Sequence, residues 1–153
     1  MSTTAIRVMK KKKILVIEDD KRITTALAVR LEAEGYEVLT AVDGFDGLKL
    51  ILTERPDLLL LDIWMPVGTG FSVVQRLKAL GLDTIPKIFI TASRLRGLRR
   101  AAMQLGGSGF FEKPYDPDVL LQAIAQALNP LPEQLEGEPA IASGSYAVPP
   151  PGA

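Results

Sequence analysis

The chain contains no cysteine and no histidine among its 153 residues. Without cysteine it forms neither disulfides nor thiolate metal sites, which fits a cytoplasmic protein. Without histidine it lacks the commonest general base and cannot act as a histidine phosphocarrier. Long hydrophobic runs are also missing. The longest strongly apolar runs are short, like the four leucines at 58–61, whereas a transmembrane helix needs about 20 apolar residues. We therefore expect no membrane span and no signal peptide.

Charge and proline are unevenly distributed along the chain. Residues 1–13 carry five basic side chains and no acid, whereas residues 129–153 carry three acids and no base. Six of the eleven prolines also fall in the last segment, a composition that disfavours a packed core. We expect a basic tail over 1–12, solvated rather than bound to nucleic acid or membrane. We expect one folded domain over 13–128 and a disordered or loosely docked tail over 129–153.

Segments typical of strands and of helices alternate along the predicted domain. Short apolar runs predict strands, and apolar residues at every third or fourth position predict helices. The predicted strands are 13–17, 36–41, 58–61, 85–91 and 109–112, and the predicted helices are 21–34, 43 onward, 70–80, 95–105 and 116–128. The helix residues expected in the core are Ile23, Leu27, Leu31, Leu48, Ile51, Leu52, Phe71, Val74, Leu77, Leu121, Ile124 and Leu128. This alternation favours a parallel sheet covered by helices on both faces.

Polar residues follow several of these strands at the point where each one ends. Glu18 and Asp19 follow the first strand, Asp62 the third, Thr91 ends the fourth, and Lys113 follows the fifth. The carboxyl ends of parallel strands share one edge of the sheet, so these side chains should converge. Two carboxylates 4 Å apart repel by about 4 kcal/mol at an effective dielectric of 20, and Mg²⁺ relieves such repulsion. The lysine and the threonine hydroxyl then suit a phosphoryl group bound to the third-strand aspartate.

These residues resemble the pattern of the receiver domain of two-component response regulators. The resemblance covers about 13–128 and includes Glu18-Asp19, Asp62 in Asp-x-x-Met-Pro-x-x-x-Gly, Thr91-Ala92, and Phe110 three places before Lys113-Pro114. It implies a flavodoxin-like, doubly wound five-stranded parallel sheet with strand order 2-1-3-4-5 and five helices. It also implies a cis peptide bond before Pro114.

The resemblance implies that the protein catalyses transfer of a phosphoryl group to itself. Asp62 would accept it from a phosphohistidine on a sensor histidine kinase or a phosphotransfer protein. Glu18, Asp19 and Asp62 would bind Mg²⁺ together with the backbone carbonyl of Trp64, and Lys113 would pair with the phosphoryl oxygens. The protein would then be a signalling module rather than an enzyme, catalysing only its own phosphorylation and dephosphorylation.

The resemblance also implies a conformational switch. Thr91 would shift toward the phosphoryl group, and Phe110 would turn inward with it. A downstream protein would bind the face containing residues 94–121, where four arginines within 93–100 would favour an acidic partner. We expect a stand-alone regulator without direct DNA binding, and a homodimer stays open.

Two other functions fit parts of the pattern. A pseudo-receiver would bind partners without phosphorylation, but the complete set of acids, threonine and lysine argues against it. A phosphohydrolase of the haloacid-dehalogenase type also uses an aspartate nucleophile, Mg²⁺ and a lysine. That enzyme needs a second aspartate two residues after the first as general acid, and this chain has Trp64 there. Taken singly, Asp62 could also be a helix cap and Lys113 a surface lysine.

Overall fold

Five strands alternate with five helices in the computed structural model, which describes residues 10–65 and 67–130; most of both predicted tails lies outside the described residues. The strands are β1 Lys13–Ile17, β2 Glu37–Ala41, β3 Leu58–Asp62, β4 Lys87–Thr91 and β5 Gly109–Glu112. The helices are α1 Lys21–Ala33, α2 Gly44–Glu54, α3 Gly70–Ala79, α4 Leu98–Gln104 and α5 Pro117–Leu128. Within these ranges, every helix is too short or too polar to span a lipid bilayer.

The strands form one parallel sheet in the order β2-β1-β3-β4-β5, which confirms the predicted order. In register, Ile17 of β1 lies between Ala41 of β2 and Leu61 of β3. On the other side, Asp62 pairs with Ile90 of β4. The carboxyl ends of β1, β3 and β4 are therefore aligned at one edge of the sheet, as the predicted convergence requires.

The core consists of two clusters, one on each face of the sheet. Alternate residues of β3 divide between them, because successive side chains of a strand point to opposite faces. Leu59 and Leu61 pack with α2, α3 and α4, whereas Leu58 and Leu60 pack with α1 and α5. All four are buried, and burying one leucine side chain contributes roughly 1.5–3 kcal/mol. The leucine run thus anchors β3 at the centre of the fold.

Side-chain oxygens cap four of the helices at their amino ends. Each accepts a hydrogen bond from a backbone N–H two or three residues later, which satisfies a donor that has no partner inside the helix. The capping residues are Asp20 for α1, Asp43 for α2, Thr69 for α3 and Asp116 for α5. Pro117 follows Asp116 at the start of α5, as predicted.

The fourth helix is shorter than the predicted 95–105. It begins at Leu98, directly after Gly97, whose φ of 85° places it in the left-handed region. A residue in that conformation cannot continue a right-handed helix, so the chain before Gly97 is excluded from α4. Gly97 also provides no side-chain hydrogen bond to the helix.

One predicted core residue of α2 is wrong. Leu52 is 44% exposed, whereas its neighbour Ile51 is fully buried. The helix lies against the sheet through glycine: a side chain at Gly47 would collide with Ile17 of β1. This close approach turns Ile51 toward the sheet and leaves Leu52 at the surface.

The inward face of α5 also differs from the prediction by one position. Leu120 and Ile124 are buried, whereas Leu121 and Leu128 are only partly buried. Residues four apart lie one above the other on a helix, so Leu120 and Ile124 define the buried stripe. Helical periodicity alone is equally compatible with burial of Leu120 or of Leu121, and only packing against the sheet distinguishes them.

Candidate functional site

Three carboxylates meet at the carboxyl edge of the sheet. Glu18 follows β1, Asp19 comes next, and Asp62 ends β3; one oxygen from each lies within 4.8 Å of the others. Glu18 and Asp62 are buried, whereas Asp19 is exposed. Carboxylate oxygens are the ligands that Mg²⁺ prefers, usually together with waters. The group therefore has the donor atoms and the open side that a magnesium site requires.

Lys113 approaches two of these acids from the end of β5. Its Nζ lies 2.6 Å from Oε1 of Glu18 and 3.3 Å from Oδ2 of Asp62. Its backbone N–H donates to the carbonyl of Thr91 at 2.8 Å, and its peptide bond to Pro114 is cis, as expected. Burial lowers the pKa of Lys113, but the hydrogen bond to Glu18 and the charge of Asp62 outweigh it and raise that pKa overall. The lysine is therefore held as a cation beside the acids.

Glu18 is the acid whose ionisation the fold disfavours most clearly. Burial raises its pKa from 4.5 to about 7, and the negative charge of Asp62 acts in the same direction. Hydrogen bonds from Lys113 and from the backbone N–H of Asp20 oppose the rise only in part. A divalent cation beside these carboxylates would favour the ionised form of Glu18.

Asp62 is held in place by the loop that follows it. Its Oδ1 accepts a hydrogen bond from the backbone N–H of Trp64 at 3.2 Å, so the oxygen facing Lys113 is Oδ2. The Trp64 side chain is 48% exposed. From the sequence, Gly70 has no role beyond closing the motif, but a Cβ there would lie 2.7 Å from the backbone oxygen of Asp62. Glycine is the residue that lets α3 begin against the phosphoacceptor candidate.

Thr91 lies at the end of β4 and Phe110 lies within β5, both outside the acid cluster. Thr91 is buried at the end of β4, and its Oγ1 accepts a hydrogen bond from the backbone N–H of Ser93 at 3.0 Å. Phe110 is only 6% exposed, so its ring already points inward. The guanidinium carbon of Arg99 lies 4.9 Å from the centre of that ring. Sequence reasoning grouped Arg99 with the other arginines and missed this contact.

Comparison with protein families and with curated proteins identifies similar sequences among response regulators. The family model described as the response regulator receiver domain matches residues 14–125. The transcriptional regulatory protein DltR of Streptococcus agalactiae is 42% identical over 112 residues, which are 73% of this chain and 50% of DltR. The alkaline phosphatase synthesis transcriptional regulatory protein PhoP of Bacillus subtilis is 38% identical over 69% of this chain and 44% of its own length. The chain thus spans about half the length of these curated relatives.

Solved structures give the same result for the fold. The chemotaxis protein CheY4 of Vibrio cholerae superimposes with a TM-score of 0.72 at 28% identity, covering 78% of this chain and 100% of CheY4. A CheY-like receiver domain protein from Methanospirillum hungatei gives a TM-score of 0.74 at 30% identity over 78% of this chain and 95% of its own. Because the receiver-domain model matches most of its length and the fold agrees, this chain belongs to the response regulator receiver domain family.

Proposed function

We propose that this protein accepts a phosphoryl group on Asp62 and signals by binding a protein partner in the phosphorylated state. The observation that carries the proposal is the convergence of the three carboxylates with Lys113, whose Nζ lies 3.3 Å from Oδ2 of Asp62. A buried aspartate beside a cation and a magnesium-type acid cluster is equipped to form and hold an acyl phosphate. Receiver domains in general are signalling modules, which supports this reading.

In the proposed reaction a carboxylate oxygen of Asp62 attacks phosphorus. The new bond is phosphorus to oxygen, and the bond that breaks joins phosphorus to the imidazole nitrogen of a phosphohistidine on a sensor kinase or phosphotransfer protein. When bound, Mg²⁺ would neutralise charge on the phosphoryl oxygens. Glu18, Asp19 and Asp62 would hold it, together with the backbone carbonyl of Trp64. Lys113 would donate from Nζ to a phosphoryl oxygen, a position it can reach because it already contacts Asp62.

The proposed output runs through Thr91 and Phe110. Donation of the Thr91 hydroxyl to a phosphoryl oxygen would reorient the group that now accepts from Ser93, and so change the loop leading into α4. The partner would bind the face that contains residues 94–121. Arg94, Arg96 and Arg100 are exposed there, which suits a partner with an acidic surface.

A second candidate is output through DNA binding. It is favoured by the curated relatives DltR and PhoP, which are named transcriptional regulatory proteins and are about twice as long as the matched region. A cytoplasmic regulator that signals through a protein partner stays our proposal. A binding assay with the phosphorylated protein distinguishes the two candidates. Binding of a protein partner would support our proposal, whereas binding of DNA would support the second candidate.

Phosphorylation at Asp62 can be tested with small-molecule donors. Acetyl phosphate or phosphoramidate with Mg²⁺ should add one phosphate to the protein, measured by intact mass, and Asp62→Asn should abolish the addition. Asp83→Asn is the matched control, because Asp83 is exposed and lies next to the opposite edge of the sheet, before β4. Full labelling of Asp62→Asn would contradict the proposal.

The magnesium cluster is tested by a second pair of variants. Trp64 follows the cluster by two residues, so its fluorescence should report Mg²⁺ in a titration. Asp19→Asn should weaken Mg²⁺ binding because it removes the exposed carboxylate of the cluster. Asp20→Asn is the control, since Asp20 caps α1 and asparagine caps equally well. Equal affinities of Asp19→Asn and the wild type would place the metal elsewhere.

A further inference from the structure

The ring of Phe110 is covered by an arginine. Phe110 lies on β5 beneath α4, and its ring is buried in the core cluster that includes Ala102 of α4. Arg99, three residues before Ala102 and so on the same side of the helix, places its guanidinium carbon 4.9 Å from the ring centre. That distance is within the range of a cation–π interaction.

Within the described residues, α4 has few core contacts: Leu98 at its start and Leu105 just after its end are only partly buried against the core. The helix has seven residues, its N-cap is a glycine without a side-chain hydrogen bond, and Ala102 is its buried residue. A helix of this length has no stability of its own in water, and alanine buries little apolar area. Contacts between the first turn of α4 and β5 therefore contribute much of what holds the helix in position on the sheet.

We propose that Arg99 is a positioning residue for the switch: it holds the Phe110 ring beneath α4 and thereby ties α4 to β5. An exposed cation–π contact shifts a two-state population by about two- to fivefold. The fraction of molecules with Phe110 inward and α4 docked should change by that factor when the contact is lost.

The consequence for phosphorylation rests on the function proposed above. If a phosphoryl group at Asp62 favours an inward Phe110, then an interaction that favours the inward ring must also favour the phosphoryl group. Such coupling is reciprocal for equilibrium binding. Arg99 would thus raise the affinity of the site for a phosphoryl mimic, although it contacts neither Asp62 nor the acid cluster directly.

The neighbouring arginine provides a matched control. Arg100 is exposed, carries the same charge and has the same helix propensity, and its side chain points about 100° further around the helix. Arg100→Ala therefore reproduces the loss of net charge and the change of propensity without removing the cover of Phe110.

The test in the absence of ligand is amide hydrogen exchange across residues 98–104. Arg99→Ala should speed exchange about two- to fivefold, Arg99→Lys should restore part of the protection, and Arg100→Ala should leave it unchanged. In a Phe110→Leu background, Arg99→Ala should have no further effect, because the ring it covers is gone. Equal effects of Arg99→Ala with and without the ring, or equal effects at Arg99 and Arg100, would overturn the proposal.

The second measurement is binding of beryllium trifluoride with Mg²⁺, followed by Trp64 fluorescence. Arg99→Ala should weaken binding about two- to fivefold and Arg99→Lys by less, whereas Arg100→Ala should bind like the wild type. Unchanged affinity in Arg99→Ala would overturn the coupling to the site. Failure of the wild type to bind the mimic would instead contradict the proposed phosphoacceptor function, and the exchange experiment would still decide the role of Arg99.

Discussion

The two helices beside β5 are attached to the sheet by different kinds of interaction. On one face, α5 has twelve residues, an aspartate cap and two buried aliphatic side chains, Leu120 and Ile124. On the other, α4 has seven residues, a glycine cap and one buried alanine. Desolvated aliphatic contacts resist local opening, whereas exposed polar contacts exchange readily with water. The difference separates a helix of the scaffold from a helix that a signal can move.

The connection after α4 adds a further contrast. Gly107 donates from its backbone N–H to the carbonyl of Ala102, and Ser108 donates to the carbonyl of Lys87 on β4. Lys87 is buried, and its Nζ donates to the backbone carbonyl of Asp83 at 2.7 Å. Backbone hydrogen bonds therefore hold the segment after α4 to β4, at the edge of the sheet opposite the acids, whereas Arg94 and Arg99 contact β5 from the amino side of the helix.

The largest effect is expected where α5 meets the core. Ile124→Ala removes a fully buried side chain and should lower the free energy of unfolding by about 2–5 kcal/mol, through lost burial and the cavity left behind. Urea denaturation measures the loss, with Ile124→Val as a graded control expected to cost about 0.5–1.5 kcal/mol. A loss in Ile124→Ala as small as that of the valine variant would contradict the scaffold role of α5.

A smaller effect is expected at the cap of α5. Asp116→Ala removes the acceptor for the backbone N–H of Asp118 and should cost about 1 kcal/mol of stability. Asp116→Asn keeps the acceptor and should retain most of it. Thermal unfolding of both variants tests the cap, and equal melting temperatures would show that capping does not distinguish α5 from α4.

The buried side chain of Lys87 should make the stability of the fold depend on pH in the alkaline range. Burial lowers the pKa of Lys87 below its ordinary 10.5, so the folded state disfavours the charged lysine. The stability contribution of this group is greatest above pH 10.5 and is lost as pH falls through the lowered pKa. Lys87→Met should therefore show its largest relative gain in stability near pH 7, and that gain should shrink toward pH 10.5.

Urea unfolding at several pH values between 7 and 10.5 measures this difference. The surface variant Lys78→Met, on the exposed side of α3, corrects for the general effect of removing a lysine. A difference between wild type and Lys87→Met that stays constant with pH would show that burial does not affect the protonation of Lys87.

The smallest effect is expected at the exposed ion pair between α4's leading loop and β5. Arg94 lies 3.5 Å from Glu112, and both side chains are well exposed, at 69% and 43%. Pairs of this kind contribute about 0–1 kcal/mol. Arg94→Ala should change the melting temperature less than Asp116→Ala does. A larger drop would mean that this ion pair, rather than the Arg99 contact, is the main attachment of the first turn.

The sequence alone determined the strands, their order through the family resemblance, and the edge at which polar residues gather. These follow from local pattern: a leucine run that ends on an aspartate, a proline after a capping acid, and strands alternating with helices. The parallel topology then requires the acids after β1 and β3 and the lysine after β5 to approach one another. The roles assigned to these residues stay predictions, as do the limits of the two tails.

Only the tertiary structure decided which of two adjacent apolar residues is buried. It also decided that the guanidinium of Arg99 contacts the ring of Phe110. Leu52 was wrongly predicted to be buried, and Leu120 was missed in favour of Leu121, because periodicity fixes a helical face only to within one residue. The neighbouring glycine or the sheet selects the final rotation of each helix. The helix α4 begins later than predicted, after Gly97, because the left-handed conformation of that residue is a property of the folded loop. Arg99 over Phe110 and the burial of Lys87 join residues whose neighbours in sequence give no sign of the contact, so they arise from packing between elements rather than from local pattern.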